Sequence, residues 1–376
     1  MNPVIPPPAW GLPAAACTGA LLGWAVALAV GRLVEPRSPP RGGHPLGSLV
    51  AVVPFSAVAA ALWWWEVAVG GQLPPATPDV GAPFVTLAWR WAGHVVLLAF
   101  LAAATWIDLR DRVIPDAVTV PGVLAGLAWA GLRPDSLPPV VRGVPRSFAT
   151  PLLEADVLGF YGPLGGAAVP AALGAAPVVT GLGIAMALFL VWWLGCTAPP
   201  LADASGRRPF DLRLPMLAAG LAAIAAAWWH GSDHWLALLS ALVGMAVGMV
   251  VVWATRIGAS RALGREALGF GDVTLMAVIG AWLGWQGALL ACCIGVLVGL
   301  VHGIVQFALA RDNELAFGPS LCAGAVLVVV FWRPLWAAVG PAFERPLEVA
   351  AVAGAVIILT ALTLAAWWRL RGPLTR

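Results

Sequence analysis

The sequence predicts an all-α, polytopic membrane bundle of about eleven transmembrane helices, and three observations predict it. Hydrophobic residues make up 61% of the chain and charged residues 10%; soluble domains sit near half and about a quarter. Mean hydropathy is +0.89, which excludes a water-soluble enzyme and also a disordered chain, since disorder needs low hydrophobicity and high net charge. Apolar runs of 17 to 25 residues recur along the chain, each long enough to cross a hydrocarbon core as a helix.

Eleven candidate spans follow in order: 12–31, 48–69, 85–107, 113–132, 178–197, 214–230, 235–254, 272–285, 287–309, 317–332 and 347–368. Met1 to Leu12 carries no charged side chain. It lacks the basic region of a cleaved signal peptide, so the first run reads as a retained helix. The stretch 133–177 is rich in Pro and Gly and holds Glu154 and Asp156; without a sustained period, it reads as an extramembrane loop on the outer side.

All 21 basic residues are Arg, balanced by 18 acidic ones to a net charge of +3. No basic stripe exists for nucleic acid to bind, and the partner the composition requires is the lipid bilayer. Eleven spans put the termini on opposite sides. With the N-terminus outside, fifteen arginines fall inside and six outside: Arg90, Arg133, Arg142, Arg146, Arg333 and Arg345. The positive-inside rule therefore places the C-terminus in the cytoplasm. Trp pairs and clusters at 63–65, 192–193, 228–229 and 367–368 sit near span ends, where interfacial aromatic belts form.

In a chain this poor in charge, a carboxylate at membrane depth points to function. Two segments qualify. One is Trp106-Ile107-Asp108-Leu109-Arg110-Asp111-Arg112-Val113-Ile114-Pro115-Asp116, between the third and fourth spans. The other is Gly269-Phe270-Gly271-Asp272-Val273-Thr274-Leu275, opening the eighth. Both fall on the cytoplasmic side. Two carboxylates held close cannot both ionise, which leaves one as base and one as acid. The base activates a water against a peptide carbonyl, and the acid hydrogen-bonds that carbonyl oxygen. Gly269 and Gly271 would let neighbouring backbone come close to Asp272. Taken singly, Asp272 also reads as a helix N-cap, and Asp108 as a juxtamembrane charge beside Arg110 and Arg112.

Together these segments resemble the paired motifs of the type IV prepilin peptidases, membrane aspartic proteases of the GxGD type. Asp108 precedes Ile114-Pro115-Asp116 as in the family. The second motif is matched by Gly269 to Leu275 and then by Gly280-Ala281-Trp282-Leu283-Gly284-Trp285. A third feature of the family, Phe-Gly-Pro before a late helix, is matched by Phe317-Gly318-Pro319. The resemblance implies Asp108 and Asp272 as the catalytic pair, supported by Gly269, Gly271, Pro115, Phe317, Gly318 and Pro319. It implies a bacterial inner-membrane endopeptidase acting at the cytoplasmic face on prepilin-like or pseudopilin precursors, without cofactor or metal. Such precursors carry a short basic leader ending in Gly, then a hydrophobic helix. The family resemblance divides the chain into N-terminal membrane helices (1–90), a first-aspartate segment (91–132) and an inserted loop with extra helices (133–254). The GxGD and Phe-Gly-Pro segment (255–332) and a C-terminal helix (333–376) follow.

Thr274 stands where the family usually has Lys, and Ser320 where it often has Phe. Arg32 to Gly47 lacks the two CxxC pairs that many members carry, so methylation of the new N-terminus is not expected. Two other classes compete. Proteases of the presenilin kind use a Tyr-Asp pair and a Pro-Ala-Leu motif, whereas the one tyrosine here, Tyr161, precedes Gly162. A non-enzymatic transporter or scaffold would show polar groups at the bilayer midplane, and the carboxylates read as confined to one membrane face.

Remaining features read as structure. Gly244 and Gly248, and Gly295, Gly299 and Gly303, form small-residue helix faces for close packing. Cys17, Cys196, Cys292, Cys293 and Cys322 read as small buried hydrophobes. His230 and His234 flank Asp233 in a short turn beside Gly231, and read as that turn rather than a metal site. His94 and His302 read as interhelical hydrogen-bonding groups.

Overall fold

A computed structural model describes residues 8, 10–33, 46–73, 84–138, 176–197, 213–264, 266, 268–310, 317–344 and 346–371. Ten α-helices fill these residues, and no strand occurs among them. They are α1 (Gly11–Leu33), α2 (Leu46–Trp63), α3 (Phe84–Asp111), α4 (Asp116–Leu132) and α5 (Ala176–Cys196). After them come α6 (Arg213–His230), α7 (Ser232–Leu263), α8 (Phe270–Ala310), α9 (Gly318–Val339) and α10 (Pro346–Arg371).

Among the described residues, five segments are long and apolar enough to cross a membrane: Gly11–Leu33, Phe84–Asp111, His234–Ala262, Phe270–Gln306 and Gly318–Phe343. α2, α4, α5 and α10 contain shorter apolar stretches. The chain is thus a helical membrane bundle. The expected spans 272–285 and 287–309 are two parts of α8. They are separated not by a loop but by Gly284, whose φ of 71° and ψ of 178° interrupt one helical run. Only Gly adopts that backbone conformation readily.

The centre of the bundle is the first half of α8, buried without interruption from Asp272 to Ala288. A helix apolar on all sides belongs inside its bundle. α8 packs most extensively on α7 and α9, and α4 lies against both α7 and α8. At the α7–α8 crossing, a Cβ on Gly244 or Gly280 would run into backbone of the other helix. That approach needs hydrogen at both positions, as in small-residue crossings generally. Gly248 packs on Met276 O and Gly295 on Leu321, so these glycine faces serve helix packing as expected. α5 and α6 pair with each other and pack on α7. The expected boundary at 254/255 falls inside α7.

Several tryptophans differ from the interfacial expectation. Trp63, Trp192 and Trp193 are buried. Trp63 meets Trp91 edge-on at 4.9 Å, and Trp193 stacks on Phe189. A wide aromatic ring fills the gap between helices as well as it fills a headgroup layer, and position near a span end does not distinguish the two. Trp64 and Trp229 are exposed. Cys17 and Cys293 are exposed as well, against expectation, while Cys196 and Cys322 are buried. In a bilayer a small apolar side chain gains as much facing lipid as facing protein. The inferred outer loop lies outside the described residues between 139 and 175, as does the connector from 34 to 45.

Candidate active site

Asp108 lies in the last turn of α3. The helix ends just beyond it, where Arg112 takes a left-handed φ of 55° and donates its N–H to Asp108 O at 2.9 Å. Pro115 is extended (φ −77°, ψ 146°) and α4 begins at Asp116. A residue before proline is held out of the helical region, so Ile114 is projected away from both helices and buried among their neighbours.

Ile114 forms the joint of the site. A Cβ on Gly271 would stand 2.9 Å from Ile114 Cβ, and one on Gly318 would stand 2.9 Å from Ile114 Cδ1. The two motif glycines, 47 positions apart in the chain, are therefore the faces between which this one side chain sits. That contact brings the α3–α4 turn against the beginnings of α8 and α9.

Asp272 is the third residue of α8 and accepts the backbone N–H of Gly269. The third helical position reaching back to the residue before the helix is the second half of a capping box, so the local role expected of Asp272 is met from that position and not from the N-cap. Asp108 accepts the N–H of Gly318, the first residue of α9. Both carboxylates thus sit at helix N-termini, where free N–H groups and the helix dipole favour negative charge. Both are buried and lie within electrostatic reach of each other. Oδ2 of Asp108 is buried without a hydrogen-bond partner among the described residues. The sequence-distant pair is brought together.

The other candidate residues take distinct places. Phe317 packs on Gly299, 3.2 Å from where a Cβ would be, and Pro319 occupies the first turn of α9. Thr274 is buried and donates to Gly271 O at 3.0 Å, which holds the GxGD turn from within and leaves it no lipid contact. Ser320 is also buried. Asp111 is half-buried and Asp116 exposed. Trp282 donates to Gly122 O at 2.9 Å and ties α8 to α4. His234 bonds Gly131 O at 2.8 Å across helices, with Gly231 at φ 69° breaking α6 from α7.

Sequence reasoning missed three things. Arg256 of α7 donates to Leu268 O at 2.9 Å and lies over the Phe270 ring, fastening the turn that leads into Asp272. Cys322 contacts Thr105 and lies within electrostatic reach of both aspartates. Glu66 is buried beside His94, at 2.8 Å, so Asp108 and Asp272 are not the only carboxylates buried among the described helices. The rule that flagged Asp108 applied equally to Glu66, which stands alone in its apolar run. A cavity of about 670 Å³ opens between α2, α3 and α9, lined by Phe55, Val58, Leu101, Thr105, Leu109, Pro319 and Val326 among others, with Arg110 at one end.

The fold and site define a class: a helical membrane protein that buries two aspartates from distant segments at the ends of its central helices. Residues 188–304 match the type IV leader peptidase family, and the resemblance to type IV prepilin peptidases is borne out. That stretch includes Gly269 to Asp272 but neither Asp108 nor Phe317-Gly318-Pro319. The chain is 34% identical over 125 residues to the prepilin leader peptidase/N-methyltransferase of Pectobacterium carotovorum subsp. carotovorum, covering 32% of this chain and 43% of that protein. It is 33% identical over 143 residues to the protein of the same name from Burkholderia pseudomallei strain 1026b, covering 36% and 43%. To that from Escherichia coli K12 it is 32% identical over 153 residues, covering 40% and 63%. The chain spans about half the length of the curated relatives it matches. No solved structure matches.

Proposed function

We propose that this protein is a membrane aspartic endopeptidase that removes the leader of prepilin-like or pseudopilin precursors, with Asp108 and Asp272 as its catalytic pair. The observation that carries the reading is the meeting of two buried carboxylates at helix N-termini beside an apolar cavity open between helices. One carboxylate takes a proton from a water lying between the pair. The water oxygen attacks the scissile carbonyl carbon, and the partner carboxyl hydrogen-bonds the carbonyl oxygen as its charge grows. Collapse breaks the C–N bond, and a carboxyl proton goes to the leaving amine. The pair shares its protons, so the roles belong to the two residues jointly. Gly269, Gly271 and Gly318 give backbone access, Pro115 orients Ile114, and Phe317 and Pro319 hold the start of α9.

The cavity accounts for the substrate class. Thr105 and Leu109 flank Asp108 on α3, and Pro319 follows Gly318, so the apolar wall ends at the pair. An apolar helix lying along that wall delivers the bond at its end to Asp108 and Asp272. The arginine distribution supports a bacterial inner-membrane protein with its N-terminus outside and its C-terminus and active site on the cytoplasmic side. The peptidase core in this reading comprises 91–132 and 255–332, joined by the α7 part of the insertion. Reconstitution with a prepilin-like peptide tests the function. The expected result is one cut at the leader junction, read by mass spectrometry; an intact peptide overturns it.

A further inference from the structure

In the N-terminal half of α3, well before Asp108, His94 forms a buried polar cluster with Glu66 and Gln72. His94 Nδ1 is hydrogen-bonded to Glu66 Oε1 at 2.8 Å, and Gln72 Nε2 donates to the same oxygen at 3.0 Å. Gln72 Nε2 also donates to Val329 O at 2.7 Å, and Trp65 Nε1 donates to Val330 O at 2.9 Å. Those two carbonyls lie where α9 breaks. Phe331 leaves helical geometry at φ −105° and ψ 23°, and Pro334 has no N–H to offer Val330 four residues back. Inside a bilayer such a freed carbonyl must find another donor. Here both donors come from the π-helical turn Trp64–Ala68 and the residues just after it.

The cluster therefore joins three elements: the π turn ending α2, His94 on α3, and the bend of α9. The two helices it joins are the ones whose ends meet at the candidate site. His94 is about 21 Å from Asp108 along α3, and Val329 about 16 Å from Gly318 along α9, at 1.5 Å per residue. A helix is stiff over that length, so fixing α9 against α3 at the cluster fixes how Gly318 meets Asp108. We propose that Gln72 is a positioning residue: with Glu66 and His94 behind it, it clamps the bend of α9 and so sets the Gly318–Asp108 contact. This rests on the peptidase reading for its catalytic consequence but not for its geometry.

The experiment uses the full chain in lipid, with the native cysteines other than Cys322 replaced and Thr105→Cys added. Thr105 and Cys322 touch beside the aspartates, so the rate of their oxidative cross-linking reports the α3–α9 register without any substrate. Gln72→Leu, and Gln72→Glu as an isosteric variant without the amide donors, are expected to slow cross-linking about tenfold. In proteins that keep Thr105 they should lower kcat roughly 10- to 100-fold with little change in KM, the scale of loss when reacting groups are misplaced by about 1 Å. Glu66→Gln keeps the oxygen that both hydrogen bonds share and is expected to retain the cross-linking rate. An unchanged rate in inserted Gln72→Leu and Gln72→Glu overturns the clamp. So does a slowed rate in Glu66→Gln, which would make the cluster's charge its purpose. If the parent protein leaves prepilin peptides intact, the peptidase reading falls while the cross-linking result still decides the clamp.

Discussion

Oδ2 of Asp108 lies 2.6 Å from the point where a side chain on Gly318 would place its Cβ. The first residue of α9 therefore has to be glycine for the carboxylate to reach that helix's free N–H groups. The same absence of a side chain leaves room for Ile114, which Gly271 meets from the other side. Three motifs far apart in the chain are thus parts of one steric arrangement around a carboxylate pair.

The pair itself is the first test. Asp108→Asn and Asp272→Asn should each lower cleavage by on the order of 10³-fold or more, because residues that act as a unit fail together. Asp111→Asn and Asp116→Asn should keep appreciable activity, since neither is buried with the pair. Peptide cleavage followed by mass spectrometry, on protein shown to be inserted, measures this. Full activity in Asp272→Asn would remove the assignment.

Gly318→Ala should be more harmful than its size suggests. The added methyl group meets both Asp108 and Ile114, and overpacking of this kind costs about 1–3 kcal/mol. The expected outcome is an inserted protein with kcat down at least about tenfold. Gly183→Ala, where a Cβ meets nothing within 4 Å, should behave as the parent in the same assay.

Trp282→Phe removes the donor to Gly122 O and leaves that carbonyl between α4 and α8 without its partner. A loss of about 0.6–2 kcal/mol is expected, the range for interhelical hydrogen bonds in membranes. A lowered thermal or denaturant midpoint in a fixed lipid or detergent composition would record it. An unchanged midpoint would mean that the ring packing, and not the N–H, is what this motif residue contributes.

The proposed orientation rests on the arginine distribution. In a background with the five native cysteines replaced, single cysteines within 139–175 should label from the periplasmic side. Those near residues 205 and 260 should label only from the cytoplasm. Cytoplasmic labelling of the long segment would change the number of crossings between Asp108 and Asp272 and would require a different arrangement of the spans.

Methyl transfer should be absent. The matched relatives carry N-methyltransferase in their names, but Arg32 to Gly47 has no Cys, and His44 and Glu35 are too few ligands to close a structural zinc site. Purified protein given precursor and labelled S-adenosylmethionine should yield unlabelled product. Label appearing in proportion to cleavage would refute this and leave the peptidase reading intact.

The sequence by itself determined the class of fold and the apolar runs that become helices, and it singled out two carboxylates that the fold buries. Apolar length and charge scarcity are local properties, and a bilayer leaves helices as almost the only way to satisfy the backbone. The Asp-Ile-Pro, GxGD and Phe-Gly-Pro motifs were legible because each is contiguous. What only tertiary structure decided is how they meet. Ile114 is one apolar residue among many until Gly271 and Gly318 are seen on either side of it. Arg256 and Cys322 carry no local signature, and their roles exist only across helices. Trp192 and Trp193 look interfacial from their place near a span end, yet neighbouring helices cover them. Gly284 shows the same limit at the level of elements, since two spans expected in sequence are one helical run broken at that glycine. Glu66, Gln72 and His94 lie far from the bend of α9 in sequence, and the need of Val329 and Val330 for donors arises only once that helix has bent beside them.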